Sequence, residues 1–305
     1  MLTRAKTPNL RVVVLSDFNG PYGATTYPAP LERMVKRIVN EWKPQFVLSA
    51  GDVVAGQSAK LPGSSFPAMW AAFERDVRGP LAAANIPFAQ TIGNHDGSSS
   101  AGFARERRAA RTYWLAHKPR LEWVDATDFP FHYSFMAGGV FIAVVDASSD
   151  QLKNRAWLAA ALKSKTARAA AQRIVIGHLP LYGVSIERNT PGNVLRDAEG
   201  IRALLEGAGV TMYLSGHHAA YYPGRRGALR VFAAGGIGAR DYVGHPGTAR
   251  STVSLLEFTE NGIKDTTFDA VSGAQIPRSS LPAYLEGLNG RVTRDDLPSE
   301  TAQPR

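Results

Sequence analysis

The stretch IPFAQTIGNHDG, residues 86–97, passes from an apolar run straight into a polar turn. Ile86 to Ile92 reads as a buried strand, and Gly93-Asn94-His95-Asp96 as the turn at its end. The turn places a carboxamide, an imidazole and a carboxylate side by side, groups that can hold a metal ion and move a proton at one spot. The same residues also describe a Gly-Asn turn whose Asp96 caps a short helix. What the other strand ends carry decides between the two readings.

The pattern recurs in both directions along the chain. Arg11 to Leu15 is a β-branched run that ends at Ser16-Asp17-Phe18-Asn19-Gly20. Phe46 to Ser49 delivers Gly51-Asp52 into a loop rich in Gly, Ser and Pro, residues 55–67. Arg173 to Ile176 ends at Gly177-His178-Leu179-Pro180, and Thr211 to Leu214 ends at Ser215-Gly216-His217-His218. Helical spacing is present at Leu31 to Trp42, Pro67 to Asn85 with a break at Gly79-Pro80, Ala101 to His117, Gln151 to Lys165 and Ala198 to Glu206. Phe131 to Phe135 and Val140 to Asp146 read as a hairpin, and further strands are expected at Leu229 to Ala233, Thr252 to Phe258 and Ile263 to Phe268. From Pro277 to Arg305 the chain is Pro-rich and charged, and it reads as a surface extension or disordered tail; the expected division is therefore 1–276 and 277–305.

Strands alternating with helices predict an α/β layered fold, whose ligand sites lie beyond the carboxyl ends of the strands. Five polar clusters fall there: Asp17 with Asn19, Asp52, Asn94 with His95, His178, and His217 with His218. Each has a bland local explanation, so the signal is their recurrence.

Composition narrows the chemistry. The 305 residues are 44% hydrophobic and 20% charged, an ordinary globular balance that can bury a substantial core. With no cysteine, disulfides and thiolate ligands are excluded, and any metal falls to His, Asp, Asn and water. Met1 to Leu10 has no apolar segment behind a basic flank, and no run approaches the ~20 residues that cross a bilayer. A soluble cytoplasmic protein is expected, or a periplasmic or secreted one if a leader preceded residue 1. The net charge of +9 favours anionic partners, and 35 basic residues less nine lysines leaves 26 arginines, whose planar fork suits phosphate. The arginines cluster at 105–111 and 225–230 without a nucleic-acid motif, so a small phosphorylated substrate is expected in preference to DNA or RNA. Neither G-x-S-x-G nor G-x-x-x-x-G-K-[ST] occurs, leaving serine hydrolases and P-loop NTPases without support. Gly235-Gly236-Ile237-Gly238 opens no helix in a G-x-G-x-x-G pattern and reads as a turn.

Two metal ions about 3.5–4 Å apart need a shared carboxylate and mixed N/O ligands, and they clamp both oxygens of an in-line displacement at phosphorus. Asp52 fits the bridging place, a metal-bound water of pKa about 7 would be the nucleophile, and His95 is placed to protonate the leaving group. Asp96 reads as the carboxylate that orients that imidazole. Tyr22, in Gly20-Pro21-Tyr22-Gly23, is a substrate contact or a packed aromatic, and Arg188 or Arg240 would steady the phosphate.

The order Asp17, Gly51-Asp52, Gly93-Asn94-His95-Asp96, Gly177-His178, Gly216-His217 resembles the calcineurin-like metallophosphoesterases over about residues 11 to 270. Asp150-Gln151 followed by Trp157, Leu158 and Leu162 is similar to a helix of that family. The resemblance implies an αββα four-layer sandwich with two mixed β-sheets, a metal centre at the strand ends, and hydrolysis of phosphomonoesters or diesters. A catalytically weak metal- and phosphate-binding protein on the same fold is the alternative. Residue by residue, Asp52, Asn94, His178 and His217 match the second metal position. At the first, Asp17 and Asp52 match, but Asn19 stands where D-x-H has its His, and Ala219 where G-H-x-H has its last. Three arrangements remain open: Asn19 binds Mn²⁺, Mg²⁺ or Fe²⁺ through its amide oxygen, with Zn²⁺ a further candidate metal; His218 turns inward; or the chain holds one metal. Ala55 stands where the purple acid phosphatase branch has a tyrosine ligand, so that branch is not expected.

Overall fold

The computed structural model describes residues 9–298. The chain enters through β1 (Leu10–Leu15), whose burial is nearly continuous, as in a strand covered on both faces. Helix α1 (Ala29–Arg37) follows, with Leu31, Met34 and Val35 buried at helical spacing, and leads to β2 (Phe46–Ser49). From α2 (Ser65–Phe73) the helical path continues through a wide turn at Glu74–Arg78 into α3 (Gly79–Ala83). The break expected at Gly79-Pro80 does not occur. Pro80 follows directly on the wide turn, whose altered hydrogen-bond spacing accommodates the missing N–H.

Next come β3 (Phe88–Gln90), the single turn α4 (Asn94–Gly97), α5 (Ala104–Ala116), β4 (Glu122–Asp128), β5 (His132–Ala137) and β6 (Val140–Val144). α6 (Arg155–Lys163) and α7 (Lys165–Ala169) lead to β7 (Gln172–Ile176), and α8 (Ala198–Gly207) leads to β8 (Met212–Ser215). β9 (Tyr221–Arg226), β10 (Leu229–Ala234), β11 (Thr252–Thr259) and β12 (Gly262–Asp269) follow, and β13 (Tyr284–Gly287) and β14 (Gly290–Arg294) close the described chain.

The fold is the expected αββα sandwich with two mixed sheets, one of five strands in the order β12-β11-β1-β2-β3 and one of nine in the order β13-β14-β9-β10-β8-β7-β6-β5-β4. β1, β2 and β3 run parallel, as do β6, β7, β8 and β10, so their carboxyl ends lie along one edge of each sheet. The sheets pack face to face: Phe46 meets Phe135 edge-on at 5.6 Å, and Thr91 donates across to the Val145 carbonyl at 2.8 Å. Trp70, Phe73, Phe88, Tyr113 and Trp114 form an aromatic cluster between the first sheet and α2 and α5.

The segment from Pro277, expected as a surface extension or disordered tail, departs from that expectation within its described part. β14 pairs with β9, opposing Thr293 to Arg225, and Leu285 and Val292 are buried. Residues 299–305 lie outside the described part. Among the described residues no helix is long and apolar enough to cross a membrane.

Candidate metal centre

Three predicted ligands occupy left-handed backbone two or three residues past a strand end: Asp17 (φ 49°), Asp52 (φ 58°) and His217 (φ 63°). Such a conformation costs a non-glycine residue about 1–3 kcal/mol and persists where the surroundings hold it. Here it swings the side chains of adjacent strand ends toward one another. Gly93 permits the close approach, because a Cβ there would sit 2.2 Å from Asp52 Oδ1. Gly51 (φ 93°) does the same beneath His178, 2.7 Å from its Nδ1.

Ligand atoms of Asp52, His178 and His217 lie within 4.8 Å of one another, and all three residues are buried. His178 Nδ1 is 2.7 Å from the Ala50 carbonyl, which can only accept, so Nδ1 carries a hydrogen and Nε2 is the nitrogen that faces the centre, to hold a proton or a cation. Around Nε2 stand Asn94 Oδ1 at 2.7 Å, Asp52 Oδ2 at 3.3 Å and His217 Nδ1 at 3.2 Å. His217 Nε2 donates to Asn193 Oδ1 at 2.9 Å, which in the neutral ring leaves Nδ1 with its lone pair toward the centre. Four acceptors therefore converge. A single proton satisfies two of them, whereas a divalent cation satisfies all four, so the donor set fits a metal.

Electrostatics agree. Burial opposes ionisation of Asp52, but the facing His178, His95 and His217 hold its carboxyl well below the usual range. Burial likewise disfavours imidazolium at His178, yet the Asp52 carboxylate outweighs it and lifts the ring to about 9. His217 is driven well below its ordinary value by burial and by His178. Burial, opposed by His178 and reinforced by Asp52, pushes Asp17 up to about 6.

The remaining predicted residues separate. Asp17 stays outside the converging group; its Oδ2 accepts from Ser16 Oγ and from the His217 amide at 3.0 Å. The Asn19 side chain turns to its neighbour's carbonyl, with Nδ2 3.5 Å from Gly20 O. His218 does not turn inward. Its Nδ1 accepts the amides of Val184 and Ser185 at 3.1 and 3.2 Å, and its Nε2 donates to Asn193 O, so both ring nitrogens are spent holding the loop 182–197. Burial lowers this ring to about 3, in keeping with a neutral imidazole.

Asp96, expected to orient His95, does something else. Its two oxygens accept four backbone amides, those of Asp52, Gly93, Val53 and Val54 at 2.8–3.0 Å, and so pin the Asp52 turn against Gly93. Backbone amides outcompete the neighbouring imidazole because both turns bring N–H groups inward. The partner of His95 Nδ1 is instead the Gly56 carbonyl at 3.0 Å; Nε2 lies 4.0 Å from Asp52 Oδ2. Tyr22, 62% exposed, stacks on the His95 ring with centroids 5.4 Å apart.

Two supporting residues carried no signal in the sequence. Gln57 Oε1 accepts from Asn94 Nδ2 at 2.6 Å, turning Asn94 Oδ1 toward the centre, and Asn193 does the equivalent for His217. Most of the clustered arginines are engaged elsewhere. Arg107, Arg111 and Arg230 pair with Asp146, Asp128 and Asp265, and Arg225 donates to a backbone carbonyl.

Residues 10–221 match the calcineurin-like phosphoesterases, and the chain belongs to that family. No curated protein matches it in sequence. Among solved structures it is similar to a purple acid phosphatase from yellow lupin (Lupinus luteus) seeds at 14% identity and TM-score 0.63, covering 88% of this chain and 52% of that one. It therefore spans about half the length of the lupin enzyme. It is also similar to GAP50, described as the anchor in the inner membrane complex of Plasmodium, at 16% identity and TM-score 0.56, covering 88% and 87% of the two chains. A dimetal phosphatase from Danio rerio aligns at 12% identity and TM-score 0.50, covering 85% and 98%. At these identities the likeness is one of fold.

Proposed function

We propose that this chain hydrolyses phosphoric esters of small molecules with a divalent cation held by Asp52, Asn94, His178 and His217. The observation that carries this reading is the convergence of three ligand atoms, from Asn94, Asp52 and His217, on His178 Nε2, in a chain whose family is that of the phosphoesterases. A cation such as Mn²⁺, Fe²⁺, Mg²⁺ or Zn²⁺ would supply Lewis acidity there and lower the pKa of water to about 7.

The protein's own residues do the rest. Ala50 O fixes the His178 tautomer, Gln57 and Asn193 orient Asn94 and His217, and Asp96 holds the Asp52 turn in place. His95, with Nδ1–H held by Gly56 O, presents Nε2 to the departing oxygen and would protonate it from the imidazolium form, becoming the neutral ring. Tyr22, stacked on that ring and open to solvent, forms a wall for the leaving group. The loops 20–30, 56–66, 182–197 and 236–250 would frame the substrate entrance.

One observation favours a second reading, a metal- and phosphate-binding protein with weak or no hydrolysis. Ala219, buried and without a donor atom, stands where the resemblance expects a ligand to a first metal. Assays on p-nitrophenyl and bis-p-nitrophenyl phosphate with each of the four cations separate the two. Turnover with any cation supports the hydrolase, and none with a cation demonstrably bound supports the binding protein.

A further inference from the structure

The first position of the family's metal pair does not fit a cation in this chain. Asp17 has one oxygen committed to Ser16 and the His217 amide, Asn19 faces Gly20, and Ala219 (φ 45°) offers no donor atom. We propose that two arginines do the work of the missing cation: Arg188 and Arg240 hold the phosphoryl group opposite a single metal ion, and the chain acts on dianionic phosphomonoesters. This rests on the phosphoesterase reading and adds to it the number of cations and the class of ester.

Arg240 is delivered by the loop after β10, which lies directly on Asp17. A Cβ at Gly236 would stand 2.7 Å from Asp17 Cβ, and Gly238 N donates to Asp17 O at 3.0 Å. The turn expected at 235–238 thus acts as the seat of an arginine. Arg240 N is bonded to Ala219 O at 2.9 Å, and its Nη1 donates to His217 O at 3.1 Å. Arg188 approaches His217 from the ring side. Its Nη1 is 3.3 Å from Asn193 Oδ1, the oxygen that also accepts His217 Nε2. The two loops are stitched together, with Ile186 N donating to Asp241 O and Val243 N to Val184 O, both at 3.0 Å.

The charges are left over. Unlike Arg107, Arg111 and Arg230, neither Arg188 nor Arg240 forms an ion pair among the described residues; their acceptors are a neutral amide and a carbonyl. They are close enough that the charge of Arg188 opposes that of Arg240, while Asp17, Glu187 and Asp52 attract Arg240. Two half-buried like charges whose hydrogen-bond acceptors are both neutral form an anion site, and the guanidinium fork matches two phosphate oxygens. Two such charges beside one divalent ion suit a terminal phosphate with two ionised oxygens better than a diester with one.

The test uses the full chain, stripped by chelation and reloaded with Mn²⁺. Metal per chain is measured by elemental analysis and inorganic phosphate binding by calorimetry, in the wild type, Arg188→Ala, Arg240→Ala and the double variant. One Mn²⁺ per chain is expected throughout, with phosphate affinity falling about 10-fold for each arginine removed. Two Mn²⁺ per chain in the wild type, or a change below about 2-fold in the double variant, overturns the inference. If Arg240→Ala does not fold, Arg188→Ala on its surface loop decides alone, and unchanged phosphate affinity is fatal. A chain that binds one Mn²⁺ and phosphate through the arginines but turns over no ester defeats the hydrolase reading and leaves the anion site standing.

Discussion

Asp96→Asn distinguishes a residue that builds the centre from one that takes part in the chemistry. In the wild type Oδ1 accepts Val53 N and Val54 N, and Oδ2 accepts Asp52 N and Gly93 N. Asparagine keeps one oxygen, enough for two of these amides, and turns an –NH2 toward the other two. Two buried N–H groups are then unsatisfied, at about 1–3 kcal/mol each. Part of this is returned, because burial and the nearby Asp52 charge already oppose ionisation of Asp96 and raise its carboxyl to about 6. The net expectation is a loss of about 2–4 kcal/mol, a large share of the ~5–15 kcal/mol that holds a domain folded. Urea unfolding of the metal-free protein, followed by circular dichroism, reads it directly. Mn²⁺ affinity should fall as well, since the variant loosens the turn that carries Asp52. A stability change below about 1 kcal/mol with unchanged metal affinity but reduced turnover would refute this account and restore Asp96 as the orienting partner of His95.

Two further outcomes follow from the supporting contacts. Asn193→Ala frees the His217 ring and should weaken Mn²⁺ binding by about 10-fold or more in calorimetry; unchanged affinity would mean that Asn193 does not orient His217. His218→Ala removes the acceptor of two loop amides, so hydrogen exchange at Val184 and Ser185 should accelerate while exchange in β6 and β7 does not, and equal protection in variant and wild type would remove His218 as the anchor of the loop.

The strand ends were legible because burial on both faces writes a strand as an unbroken apolar run, and a polar cluster after it is conspicuous. β1, β2 and β6 to β8 are of this kind. What stayed hidden lies at or near the ends of the nine-stranded sheet or depends on backbone partners. β4 alternates between exposed and half-buried residues, β9 contains Pro223 and Gly224, and in β13 and β14 only Leu285 and Val292 are buried, so none of the four carries a clear apolar pattern. The role of Asp96 was hidden because its partners are main-chain amides, which every sequence has. The departure at Asn19 and Ala219 was visible, and Arg188 and Arg240 were visible as alternatives for steadying a phosphate; their acting as a pair was not, because they lie far apart in sequence and the loop pairing at 184–186 and 241–243 brings them together.

The C-terminal hairpin matters for the same reason. Asn289 Nδ2 donates to the carbonyls of Leu181 and Leu195, and Leu288 N donates to Asn189 Oδ1, so this segment braces the loop that presents Arg188 and Asn193.

The central claim is tested most directly by p-nitrophenyl phosphate turnover of the Mn²⁺-loaded wild type against Asp52→Asn, with Mn²⁺ content measured on both. The account predicts turnover in the wild type and, in the variant, loss of both turnover and bound Mn²⁺. Turnover that survives Asp52→Asn unchanged would contradict it.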